Sequence, residues 1–138
     1  FAPTPSQTLT STEANTQLGA ALVAGDDVNG DGRSDAVLSR SCGARAFHGT
    51  ATGLATTPST TLADDAGATG SFCGIALMMP GDVDGDGFGD AVMGSTQYAG
   101  GAGAVFLYRG SADGLAPRPA WTVRGPMPNT QFGGTLAR

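Results

Sequence analysis

Repetition, abundant glycine and the lack of helical periodicity together point to an all-β chain of β-propeller blades, each of four antiparallel strands. Gly accounts for 23 of 138 residues, far above the usual ~7%, and no G-X-Y period signals collagen. Thr, Ser, Val and Ala fill the intervals between turn residues, which suits short strands. No window combines a sustained helical period with caps. The length is enough for one domain with a buried core.

The elements follow in order from the repeat. Residues 25–35 read GDDVNGDGRSD and residues 81–90 read GDVDGDGFGD, with Asp27 and Asp82 55 positions apart. An apolar run precedes each stretch, QLGAALVAGDD (17–27) and FCGIALMMPGD (72–82), and a third copy opens at QFGGTLAR (131–138). A β-prone run follows each, AVLSR (36–40) and AVMGS (91–95). Next, ARAFHGTATGL (44–54) matches AVFLYRGSADGL (104–115). A Thr-rich run closes each unit, PSTTLA (58–63) against PAWTVRG (119–125), and PSQTLT (5–10) is a further copy. Each unit is thus four strands, a to d, with the acidic stretch joining a to b. One domain over 1–138 is predicted, with blade 1 at about 17–63 and blade 2 at about 72–125. Residues 1–10 read as the last strand of a preceding blade, and 131–138 as the first strand of a following one. The copies differ mainly between b and c, where STQYAGGAGA (95–104) is about six residues longer than its counterpart.

Charge narrows the function. The net charge is −5 and the pI is about 4.4, so no nucleic-acid partner is predicted, phosphate binding needing a basic face. All seven cations are Arg, and eight of the twelve acids are Asp within the two quoted stretches. Such concentration points to a bound cation. No apolar run approaches the ~20 residues of a membrane span, so no membrane insertion is predicted. The chain starts at Phe1 without Met, which reads as a processed or excised piece.

The acidic stretches carry metal-ligand spacing. With Asp27 as position 1, Asn29 is 3, Asp31 is 5, Arg33 is 7 and Asp35 is 9; the twin gives Asp82, Asp84, Asp86, Phe88 and Asp90. Side-chain oxygens at 1, 3, 5 and 9 with a backbone carbonyl at 7 suit Ca²⁺, predicting two sites. Gly32 and Gly87 at position 6 permit the sharp turn. Mg²⁺ fits such a cage poorly. A metal-free acidic turn is the bland alternative, and two loops in one register weigh against it. An EF-hand needs Glu at position 12, where Leu38 and Met93 stand, and flanking helices, where strands follow.

The pattern resembles the FG-GAP repeat of integrin α-subunit propellers. The family's Phe-Gly is Phe132-Gly133 in the third copy, Phe72-Cys73-Gly74 in the second and Leu18-Gly19 in the first. Its Gly-Asp-x-Asn/Asp-Gly-Asp-Gly-x-x-Asp loop is present in both copies, whereas its Gly-Ala-Pro after strand b is degraded to Ser39-Arg40 and Gly94-Ser95. The resemblance implies a ring of blades with strand a innermost and structural calcium in the a–b loops. It implies further blades as partners, in the same or another chain, and an extracellular, secreted or cell-surface location. It also places Cys42 and Cys73 on one face of adjacent blades, where a disulfide is expected; two buried thiols are the alternative.

No enzyme constellation is visible. The only histidine, His48, aligns with Arg109 at the end of strand c and reads as a surface residue. Met78 and Met79 read as core filler, and Asp64 and Asp65 as a solvated turn. Trp121 and Tyr98 are the aromatic candidates for binding a protein or glycan ligand. The expected function is a calcium-binding segment acting in adhesion or recognition. The rival readings are a carbohydrate-binding lectin, with Tyr108 as a third aromatic, and a non-catalytic appendage of a larger extracellular enzyme.

Overall fold

The computed structural model describes residues 4–14, 17–66, 73 and 75–137. The described residues form two four-stranded antiparallel sheets. Blade 1 contains β1 (Leu22–Ala24), β2 (Ala36–Arg40), β3 (Gly43–Phe47) and, after a small hairpin of β4 (Gly49–Thr50) and β5 (Gly53–Leu54), β6 (Thr60–Leu62). Blade 2 contains β7 (Ile75–Gly81), β8 (Asp90–Ser95), β9 (Ala104–Tyr108) and β10 (Trp121–Arg124). Strands pair in sequence order within each blade, β1-β2-β3-β6 and β7-β8-β9-β10. The β7–β8 register shifts between Met78 and Gly81, around Pro80, which has no N–H to give the ladder.

Alternation along the strands sets which face each sheet buries. In β9, Ala104, Phe106 and Tyr108 are buried, and Val105 and Leu107 between them are half-exposed. The buried set joins Met79, Ala91, Met93 and Leu115 in one cluster with Val28, Val37, Ala44, Ala46 and Leu62 of blade 1. The blades therefore share a core. Alanines on the β3 face accompany Phe106 and Tyr108 on the β9 face, a large-against-small match that close packing requires. Tyr108 also reaches across, donating its hydroxyl to the Ala63 carbonyl at 2.8 Å. The opposite face of blade 1 packs Ala36, Leu38 and Phe47 against Leu9, Leu18 and Leu54.

The flanking stretches are looser than the strands the sequence implies. Residues 4–10 form no ladder; there Gln7 bonds both the amide and the carbonyl of Leu54, at 2.9 and 2.5 Å. Residues 131–137 make a single parallel bridge, Phe132 to Gly103. A lone d or a segment finds no antiparallel partner among these residues: the Gln7 side chain ties the first segment, and the amides of Gln131 and Phe132, donating to the Gly101 and Ala102 carbonyls at 3.0 and 3.1 Å, tie the second.

Cys42, in the turn after β2, is disulfide-bonded to Cys73 ahead of β7, with Cα atoms 4.4 Å apart across 31 residues. The thiol alternative thus falls. In the chain-entropy account a loop of this size contributes about 3–4 kcal/mol. No helix among the described residues is long and apolar enough to cross a membrane.

Candidate metal centre

Each acidic stretch is a loop between antiparallel strands, wound around its first aspartate. Asp27 Oδ1 accepts the amides of Gly30, Asp31 and Asn29 at 2.7, 3.2 and 3.3 Å, and Oδ2 accepts that of Gly32 at 2.7 Å. In blade 2, Asp82 Oδ1 accepts Gly85 and Asp86 at 2.6 and 3.1 Å, and Oδ2 accepts Gly87 at 2.8 Å. The winding needs left-handed backbone at Gly30, Gly32, Gly85 and Gly87, all at φ between +74° and +95°. The amides favour the ionised carboxylate. The Gly87 amide leads in holding Asp82 below the usual carboxylate range, against desolvation. For Asp27 burial is the largest effect and raises the pKa, but four amides, Gly32 first, together outweigh it.

Positions 3 and 5 continue the pattern as Asx turns. Asn29 and Asp84 each accept the amide two residues on, at 3.2 and 3.3 Å, as do Asp31 and Asp86, at 2.9 and 3.0 Å. Asp82, Asp84 and Asp86 each present a carboxylate oxygen within 4.8 Å of the others, and all three are exposed. Three hard oxygens this close repel one another in water and suit a hard divalent cation. The donor set therefore fits calcium: it is all oxygen and open to solvent. Asp27, Asn29 and Asp31 repeat the same hydrogen bonds with one carboxylate fewer.

Position 9 departs from the ligand pattern. Asp35 and Asp90 are buried, at 1% and 0% exposure. Asp35 accepts Val28 and Gly49 amides at 2.8 and 2.7 Å; Asp90 accepts Val83 and Gly110 amides at 2.8 and 3.0 Å. Asp90 lies outside the group of three. Both aspartates brace the loop against the end of strand c from beneath.

At position 7 the two loops differ. Arg33 turns its guanidinium to Asp31 at 3.5 Å. The Phe88 ring lies over Gly30 of the neighbouring loop, where a Cβ would come within 2.8 Å of it. The loops also touch through backbone, Gly89 donating to the Asp27 carbonyl at 2.7 Å, and Ser111, beyond β9, donates to the Val28 carbonyl at 3.1 Å. Gly81 donates to the Asp26 carboxylate at 2.7 Å. Asp26 was not singled out in the sequence, although the doublet Asp26-Asp27 has no twin in the second loop. Arg109 was not singled out as a loop residue either. Its Nε lies 3.0 Å from Asp84 Oδ2.

The aromatic candidates part company. Tyr98 packs edge-on against Phe106 at 5.1 Å, lies 5.7 Å beneath the Arg124 guanidinium and donates to Asp65 at 2.9 Å. Burial, then this bond, pushes its hydroxyl pKa up. Asp65 also pairs with Arg124, and Asp64 is buried, so this connection is not the solvated turn the sequence suggests. Tyr108 is buried, with its pKa raised chiefly by desolvation. Trp121 stays 52% exposed. With Met78, Pro80, Val92 and Leu107 it lines an open apolar groove of about 540 Å³ on the far face of blade 2. Successive residues Phe106 and Leu107 face opposite sides of the sheet, so Tyr98 and Trp121 do not share a site.

Four-stranded antiparallel blades, each with an acidic loop joining its first two strands, define a propeller-type repeat protein. The family model for the FG-GAP repeat matches residues 78–108, from within β7 through the second loop and β8 to the end of β9. Residues 78–108 are thus similar to an FG-GAP repeat.

Proposed function

We propose that this chain is a calcium-braced FG-GAP propeller segment that acts outside the cell in adhesion or ligand recognition and catalyses no reaction. The observation that carries the reading is the cluster of Asp82, Asp84 and Asp86 within an FG-GAP match. Asp82, Asp84, Asp86 and the Phe88 carbonyl would hold one ion, and Asp27, Asn29, Asp31 and the Arg33 carbonyl a second. Asp35 and Asp90 serve each site from below, by fixing the loop. Bound calcium supplies the positive charge that lets the carboxylates sit together. Extracellular modules of this ligand type bind with Kd on the order of 10⁻⁴–10⁻³ M, which suits extracellular calcium. The Cys42–Cys73 disulfide supports an oxidising compartment.

Further blades are the partners this reading calls for. On blade 1 the face that meets blade 2 carries Val37, Ala44, Ala46 and Leu62. Their repeat equivalents on blade 2 are Val92, Val105, Leu107 and Val123, on the face of the open groove. A next blade laid on that face would continue the stacking already present. The glycan-binding alternative rests on Trp121 alone, since Tyr98 and Tyr108 are committed to packing.

Thermal unfolding with and without millimolar calcium tests the central claim. The expected result is a rise in Tm with calcium that Asp86→Ala reduces. An unchanged Tm in a folded protein sinks it. The mass in solution, recorded alongside, reports whether blades assemble between chains.

A further inference from the structure

The second loop carries a positive charge that comes from outside the loop. Arg109 follows the last residue of β9, and its Nε sits 3.0 Å from Asp84 Oδ2. The other oxygen of Asp84 accepts the Asp86 amide at 3.3 Å. The guanidinium therefore occupies the side of this carboxylate that the loop's own backbone leaves over. Blade 1 is a built-in comparison. There the residue equivalent to Asp84 is Asn29, without charge, and the residue equivalent to Arg109 is His48. The arginine stands against the one carboxylate by which the ligand-spaced positions of the second loop exceed those of the first. The arginine of the first loop, Arg33, belongs to the loop and faces Asp31 instead.

Resting on the calcium reading above, we propose that Arg109 is a resident counter-ion that competes with calcium at Asp84 and holds down the affinity of the second loop. Without an ion, Asp82, Asp84 and Asp86 repel one another, and the guanidinium relieves part of that repulsion. It thereby stabilises the empty loop. An entering divalent cation repels the guanidinium and takes Asp84 from it, so part of the binding free energy goes into breaking an ion pair. A unit charge some 5 Å from a divalent ion in a water-like medium changes affinity by about tenfold, and salt shrinks the effect. Arg109 is exposed, so its replacement leaves the core untouched.

Calorimetric calcium titration of the full chain carrying Asp31→Ala, which disables the first loop, tests this. Arg109→Gln is expected to bind calcium about tenfold more tightly at low salt, with the gap narrowing at high salt, while Arg109→Lys stays near the parent. An unchanged or weaker affinity in Arg109→Gln overturns the proposal and leaves the calcium reading standing. That result would make Arg109 a strut that positions Asp84. No calcium binding in the unaltered protein overturns both, whereas binding there that is lost in the Asp31→Ala chain overturns the Arg109 proposal alone. The Arg109 Nε–Hε resonance gives a second readout. It should move as calcium saturates the second loop, and a resonance that stays in place overturns the displacement.

Discussion

The Gly89 amide donates to the Asp27 carbonyl at 2.7 Å, so the two acidic loops are joined through backbone. Gly89 lies one residue beyond Phe88, whose carbonyl is a calcium ligand in the proposed site. Asp27 is the residue around which the other loop winds. Strain at one loop therefore reaches the other without passing through the core. Gly89 is also tightly fitted, since a Cβ there would come within 2.8 Å of the Asp26 Cβ.

The first prediction concerns this joint. Gly89→Ala should lower stability by about 1–3 kcal/mol, the usual cost of overpacking. It should also weaken calcium binding at both loops, as read by calorimetry. In the unaltered protein Asp31→Ala should weaken binding at the second loop several-fold. Equal second-loop affinity with and without Asp31→Ala would mean that the loops act independently.

The second prediction separates the buried aspartates from the exposed ones. Asp90 satisfies the amides of Val83 and Gly110 inside the protein. In Asp90→Asn one acceptor becomes a donor that faces an N–H, which costs about 2–3 kcal/mol as an unmet buried hydrogen bond. That loss should appear in urea unfolding with chelator present. Asp86→Asn should leave the chelated protein nearly unchanged and remove calcium stabilisation at its loop. If Asp90→Asn is silent in chelator, the bracing role is wrong.

Much of this architecture could be read from the sequence, because it is written as a repeat. Two loops in one register, with matched runs on either side, fix which strands pair and in what order. The metal spacing was visible because Asx turns need Asp or Asn at fixed steps. What alternation of residue types does not encode is depth. Asp35 and Asp90 look like ligands because their spacing fits, yet they are buried against Gly49 at the start of β4 and Gly110 just after β9. His48 read as a surface residue, whereas it lies against Gly114 of the next blade, where a Cβ would collide with its Nε2. Such contacts cross between blades, and periodicity within one blade carries no trace of them. The signals for Arg109 and Asp26 were departures from the repeat, visible only when the copies are compared position by position.

The third prediction is a pH dependence in chelator. The Asp82 and Asp27 carboxyls are held below the usual range, Asp82 foremost by the Gly87 amide and Asp27 by its four amides against burial. A carboxyl whose pKa is depressed on folding adds stability above its unfolded pKa. That stability is lost as pH falls through the folded value. The loss should therefore set in below the ordinary aspartate value of about 4, with little change between neutral pH and that point. Asp82→Asn should flatten the fall in a plot of urea midpoint against pH. A fall of the same depth in that variant would assign the acid sensitivity to other groups.

The fourth prediction concerns the opposite end of the blade–blade contact, where Cys42 and Cys73 are joined. The contact is pinned by loop hydrogen bonds at one end and by this disulfide at the other, with the shared cluster around Phe106 between them. Reduction leaves that cluster intact, so the fold should survive while the unfolded chain gains freedom. The Cys42→Ser, Cys73→Ser double variant should be less stable by about 3–4 kcal/mol. For a chain of this length that corresponds to a Tm lower by roughly 10 °C. The calcium-dependent rise in Tm should persist, because the loops lie at the far end of the blades from the disulfide. A double variant that stays folded but loses its calcium response would show that the disulfide, and not the local winding around Asp27 and Asp82, sets the shape of the loops.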